Sequence, residues 1–174
     1  MTLRRLSATL LFPAALLVSS FLVFGCDDDN YYEPDLSTVP EARDTTGVQR
    51  IEKSNGLVIY VHEEGEGSFS VTERDLILAR YTGRLTDGGI FMSSWIDGRS
   101  QPVQLDLHPG ASGFPDIQGF TRGVTGLKEG SKVTLVIPPT LAYGQQARQM
   151  SYGFVTIPSN STLVFDVDVV SIFD

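Results

Sequence analysis

Apolar and polar positions alternate over much of the chain beyond residue 56, the period of two that places side chains on opposite faces of a strand. Residues 76–85 carry this pattern, with Ile77, Ala79 and Tyr81 on one face. So do residues 101–107, with Val103, Leu105 and Leu107 aligned. In 163–173, Phe165, Val167 and Val169 point inward, and Asp166 and Asp168 point outward to solvent. The shorter apolar runs 57–61, 90–92 and 132–137 predict further strands. Turn residues punctuate them: Glu63-Glu64-Gly65-Glu66-Gly67, Asp87-Gly88-Gly89 and Pro138-Pro139. One segment has a different period. Ile117, Phe120, Val124 and Leu127 recur at helical spacing, interrupted by Gly119, Gly123 and Gly126. Each glycine costs an isolated helix about 1 kcal/mol relative to alanine, so this helix must be short and held by packing. Strands with one short helix predict an α+β domain, an antiparallel sheet wrapped on a helix. The stretches 108–115 and 145–156 read as loops long enough to be functional.

Upstream of residue 57 the pattern changes twice. Arg4 and Arg5 precede an uncharged, mostly apolar run from 6 to 24. This is the layout of a secretory signal, or of an uncleaved anchor just long enough to span a bilayer. The run Leu22-Val23-Phe24-Gly25-Cys26 resembles the lipobox of bacterial lipoproteins, and Cys26 is the single cysteine of the chain. The resemblance implies cleavage before Cys26 and lipid on its sulfur, hence a signal peptide over 1–25 and membrane attachment through lipidated Cys26. It places the protein in the bacterial cell envelope, outside the cytoplasm, with the outer membrane or cell surface expected over the inner membrane. From 27 to 46 Asp27-Asp28-Asp29, Glu33, Asp35, Glu41 and Asp44 stand against Arg43, and Pro34 and Pro40 break any period. Residues 26–56 are therefore expected to be an acidic tether, and 57–174 the folded domain. The three aspartates after the cysteine also resemble lipoprotein sorting signals; a merely solvated linker is the alternative.

Composition narrows the chemistry. The chain has 174 residues and a net charge of −8, unsuited to tracking nucleic-acid phosphate, so no nucleic-acid partner is expected. With one cysteine and two histidines, neither a disulfide framework nor a Cys/His metal site is expected. His62 and His108 read as surface residues. There is no Gly-x-Ser-x-Gly elbow and no phosphate-binding glycine loop, and no cofactor is expected. The distinctive side chains are apolar: Tyr81, Phe91, Phe120, Tyr143 and Phe165. They suit a reaction that needs a dry pocket, and equally an ordinary core.

Four runs favour the pocket. Tyr81-Thr82-Gly83-Arg84-Leu85 leads to Asp87-Gly88 and Phe91-Met92-Ser93-Ser94. Gly119-Phe120, Gly123 and Gly126-Leu127-Lys128 follow. Then come Ile137-Pro138-Pro139 with Leu141-Ala142-Tyr143-Gly144, and Ile157-Pro158 with Thr162-Leu163-Val164-Phe165-Asp166-Val167. In this order they resemble the FKBP-type peptidyl-prolyl cis-trans isomerases. The resemblance implies a twisted antiparallel sheet of five or six strands curled around one short helix, and rotation of X-Pro bonds in proline-containing polypeptides. It implies that Tyr81, Phe91 and Phe165 wall the proline pocket, with Phe120 as its floor. Tyr143 would offer its hydroxyl to a substrate carbonyl and Ile117 its backbone N–H to another. Ile157 and Val103 would line the rim. Three positions depart from the family pattern: Met92 replaces an Asp, Phe120 a Trp, and Val103 a Phe. The loop between Tyr143 and Ile157, carrying Arg148, Tyr152 and Phe154, is longer than the family's short form. A proline-binding module or holdase with little catalysis, and a structural surface lipoprotein, remain the alternatives.

Overall fold

Among the described residues seven strands form in chain order, all but β1 rich in β-branched, aliphatic or aromatic residues: β1 (Gln49–Glu52), β2 (Val58–Glu63), β3 (Leu76–Leu85), β4 (Ile90–Ser93), β5 (Val103–Asp106), β6 (Lys132–Ile137) and β7 (Leu163–Phe173). The computed structural model describes residues 33–110, 117–150 and 155–173. The strands make one sheet in the order β1-β2-β6-β7-β3-β4, and all pairings are antiparallel. β5 also pairs with β3, so the long β3 shares its outer edge between β4, opposite Thr82–Arg84, and β5, opposite Leu76–Ala79.

The helix is short, α1 (Gln118–Val124), and its glycines have a steric purpose. A Cβ on Gly119 would lie 2.2 Å from Ile137 Cγ2, and one on Gly123 would lie 2.7 Å from Leu135 Cδ1. Their absence lets the backbone of α1 settle directly on β6, and that contact offsets their poor intrinsic propensity. Between helix and sheet lie Phe120 and Val124 with Val133, Leu135, Phe165 and Val167, all wholly buried.

The sheet departs from expectation at β1 and at β5. Strand β1 falls inside the expected tether and pairs Gln49–Glu52 with Val58–Val61. Residues ahead of it are tied down as well. Asp35 and Asp97 exchange hydrogen bonds at 3.0 Å, backbone to side chain in one direction and backbone to backbone in the other. Arg43 donates to the Val133 and Val167 carbonyls, each at 3.2 Å, and pairs with Asp168. The tether boundary at 56 is thereby corrected: from Asp35 onward the chain is joined to the domain. These contacts are backbone and charge contacts, which leave no hydrophobic period to read. Residues 26–32, including Cys26 and the three aspartates, lie outside the described residues, as does the signal segment. At β5, an edge strand paired to β3 alone, Leu105 is buried but Val103 is 39% exposed.

Asp166 also departs from the expected solvated position. It faces away from the aromatic core, as alternation requires, yet it is buried. Arg84 Nη1 donates to its Oδ2 at 2.9 Å and Thr134 Oγ1 donates to its Oδ1 at 2.6 Å. The Arg43 backbone N–H adds a third bond at 3.3 Å, and Arg84 also reaches the Pro40 carbonyl. The 40–43 segment thus covers a charged pair on the sheet's second face. Among the described residues every buried side-chain nitrogen and oxygen has a partner.

Candidate active site

Four of the aromatic residues singled out by the sequence converge. Phe91 on β4, Phe165 on β7 and Phe120 on α1 are all fully buried. Phe165 is central: its ring lies 5.4 Å from Phe91 and 5.2 Å from Phe120, both edge-to-face. Tyr81 extends the chain of rings, edge-on to Phe120 at 6.4 Å. Such geometry places positive ring edges on negative ring faces and adds to the stabilisation from burial.

Gly83 makes the cluster possible. It sits opposite Phe165 on one neighbour strand and Met92 on the other. A Cβ there would fall 2.7 Å from the Phe91 ring and 2.9 Å from Phe165, so the two rings close over bare backbone. This is the physical content of the glycine in Tyr81-Thr82-Gly83. The β3–β4 end is fastened by polar bonds: the Ser94 backbone N–H donates to the Tyr81 carbonyl at 2.9 Å, and the Tyr81 N–H donates to Ser94 Oγ at 2.9 Å.

Tyr81 is the partly buried member of the cluster. Its removal from water disfavours the phenolate and pushes its pKa up to about 12. It is therefore a neutral phenol throughout the physiological range, an apolar wall with one polar tip. Met92 is nearly buried and belongs to the same core, so an uncharged side chain stands there, paired in register with Gly83. Ile117 and Ile157 are also buried in that core. Val103 is not among the residues packed into it.

Tyr143 reaches the core from the other side, where two turns are stitched together. A 3-10 turn at Pro139–Leu141 delivers it. The Asn160 N–H donates to the Gly144 carbonyl at 2.6 Å, and Arg148 and Ile157 exchange backbone bonds at 2.9 and 2.8 Å. Ile157 and Tyr143 are thus held by one framework. The Arg148 guanidinium carbon lies 5.1 Å from the Tyr143 ring centroid, within cation–π range. Sequence reasoning counted Arg148 as loop content only; an isolated bridge of one residue pair has no signature in periodicity. Tyr152 and Phe154 lie outside the described residues, as does most of the 108–115 loop.

The two histidines behave differently. His62 lies 2.9 Å from Thr134 Oγ1, and burial, reinforced by Arg43, holds its pKa below the usual value. His108 Nδ1 lies 2.7 Å from Asp106 Oδ1 at an exposed site, where the bonds from His108 hold the Asp106 carboxyl below its ordinary value. Among the described residues no group of three His, Cys, Asp or Glu is placed to hold a metal ion. Nor is any helix there long and apolar enough to cross a membrane.

Comparison with known proteins agrees with this arrangement. Residues 67–170 match the model of the FKBP-type peptidyl-prolyl cis-trans isomerase family. The chain is 40% identical over 119 residues to the isomerase FkpA of Escherichia coli strain K12, a match covering 68% of this chain and 38% of that protein. It is 36% identical over 122 residues to FK506-binding protein 1A of Neurospora crassa, covering 70% of this chain and 92% of that one. In three dimensions it resembles the crystal structure of AtFKBP13, with a TM-score of 0.58, 30% identity, and coverage of 71% of this chain and 98% of that one. The chain thus spans well under half of the first relative, and nearly all of the two smaller proteins falls within the match. With seven antiparallel strands and one short helix packed through its glycines among the described residues, and with Tyr81, Phe91, Phe120 and Phe165 gathered into one cluster, this chain belongs to the FKBP-type peptidyl-prolyl cis-trans isomerase family.

Proposed function

We propose that the protein catalyses cis–trans isomerisation of X-Pro bonds in polypeptides. The observation that carries this reading is the buried apolar cluster of Phe91, Phe120 and Phe165, flanked by the partly buried Tyr81. Uncatalysed X-Pro rotation crosses a barrier of about 20 kcal/mol and takes tens of seconds or more. The planar amide is held by resonance, which separates charge and is favoured by water. A twisted amide has lost that resonance and is less polar, so apolar surroundings favour it relative to the ground state. No proton transfer or covalent bond to the enzyme is required.

In this reading a proline ring lies against Tyr81, with Phe91 and Phe165 as the walls behind it and Phe120 as the floor. Met92 keeps the edge apolar, while Ile157 and Val103 contribute rim surface. The Tyr143 hydroxyl and the Ile117 N–H, at the residue preceding α1, hold substrate carbonyls and fix the amide's orientation. A chymotrypsin-independent proline-isomerisation assay on the purified protein tests the reading. Catalysis should be measurable, and Tyr143→Phe, which removes only the hydroxyl, should weaken substrate binding by about 0.5–1.5 kcal/mol. A rate equal to the uncatalysed one, with calorimetric binding of proline peptides retained, would replace catalysis by the binding-module reading.

The setting we propose is the bacterial cell envelope outside the cytoplasm, with the chain held by lipid on Cys26. Support comes from Leu22-Val23-Phe24-Gly25-Cys26 at the end of an apolar run that follows two arginines. Each buried acyl methylene contributes about 0.8 kcal/mol of membrane affinity, so the anchor does not depend on the acidic protein surface. Mass spectrometry of membrane-extracted protein should find an acylated N-terminal peptide beginning at Cys26. A mature protein that retains Met1 would overturn it.

A further inference from the structure

Beside Tyr143 lies an open cleft of about 480 Å³, lined in part by Gln118, Thr140, Gln146, Arg148 and Gln149. Its described lining holds one charged side chain, Arg148, among amide and hydroxyl groups that suit an extended peptide backbone. Arg148 is fixed in place three ways. Its backbone is bridged in both directions to Ile157, its guanidinium stacks on Tyr143, and its place in the loop is braced by the Asn160–Gly144 bond. A preplaced cation on a fixed backbone loses little freedom on meeting an anion, and a guanidinium's planar fork matches a carboxylate.

We propose that Arg148 is a specificity residue that selects polypeptide segments with an acidic side chain one or two residues from the isomerised proline. This rests on the isomerase reading and adds a substrate class to it. The spacing follows from reach. Tyr143 is the residue that would hold a substrate carbonyl, and the Arg148 guanidinium carbon is 5.1 Å from its ring centroid. An extended peptide advances about 3.3 Å per residue, so the neighbours of the proline fall beside the guanidinium. The protein as a whole carries a net charge of −8, which repels acidic chains at long range. Screening over about 8 Å at physiological ionic strength leaves a residue bound in the cleft governed by the nearest charge, Arg148.

The test uses three proline peptides, identical except for Glu, Gln or Lys at the first or second position from the proline, on either side. Isomerisation is measured at about 0.15 M and about 1 M salt. At the lower salt kcat/KM should fall in the order Glu, Gln, Lys at one of these positions. The expected Glu-to-Lys ratio is about three- to tenfold, the scale of an exposed ion pair felt as attraction in one peptide and repulsion in the other. The ratio should lie in KM and approach one at high salt. Arg148→Gln should abolish the ratio and Arg148→Glu invert it. Arg50→Gln, an equal charge change on β1, should preserve it. A ratio of one in the unaltered protein, or a ratio that survives Arg148→Glu, overturns the proposal while leaving the isomerase reading intact. No isomerisation of any of the three peptides overturns that reading, and this proposal with it.

Discussion

Phe165→Ala should destabilise the domain by about 3–5 kcal/mol, the cost of emptying an aromatic site in a core that relaxes only partly. The expectation follows from how the site is built. The ring is fully buried and touches Phe91 and Phe120 edge-to-face, with Gly83 beneath it. Those neighbours cannot collapse inward easily. Phe91 and Phe120 belong to different elements, and glycine has no side chain to fill the gap. For a domain of this size the loss should lower Tm by roughly 10–20 °C. Urea titration with an unchanged m-value would separate lost stability from a changed unfolded state. Isomerase activity of the folded fraction should fall as well, since Phe120, which packs on Tyr81, loses its second support. A loss below about 1 kcal/mol would mean that the three rings are not a cooperative core and that the proposed pocket has no rigid back wall.

Asp166→Ala should cost about as much, roughly 3–5 kcal/mol, by a different mechanism. The side chains of Arg84 and Asp166 are 9% and 10% exposed. Removing the carboxylate leaves a buried guanidinium with the Pro40 carbonyl as its remaining named partner, takes the acceptor from the Arg43 N–H, and leaves the Thr134 hydroxyl with His62 alone. The penalty is the uncompensated charge rather than the pair's net worth, so Arg84→Met combined with Asp166→Leu should recover most of it. A double-mutant cycle measures this directly through the coupling term. The network lies on the face of β7 opposite Phe165, so folded Asp166→Ala should keep far more isomerase activity than Phe165→Ala. If the double substitution is no more stable than Asp166→Ala alone, the charge pair is not the source of the loss.

The sequence by itself determined the helix and every strand except β1, because burial on one face imposes a period that survives without any knowledge of partners. β3, β6 and β7 were legible to the residue for this reason, and the apolar positions of α1 stood out despite its glycines. It also singled out Tyr81, Phe91, Phe120 and Phe165, which the fold brings together, with Gly83 bare beneath Phe91 and Phe165. Whatever depends on pairing between distant polar groups was decided only in three dimensions. β1 has four exposed residues and no apolar face to announce it; backbone bonds to β2 make it a strand. Arg43 looked like one cation in an acidic linker, and only the folded sheet brings the Val133 and Val167 carbonyls and Asp168 within its reach. Asp166 sits at a position that alternation assigns to water, and is enclosed because Arg84, Thr134 and the 40–43 segment meet there. Arg148 gained its place in the same way, through one bridge to Ile157 and one ring beneath it. Hydrophobic burial is non-directional and leaves its trace along the chain as a period. Hydrogen bonds and ion pairs are directional and join residues up to 125 positions apart, so their partners appear only when the chain has folded.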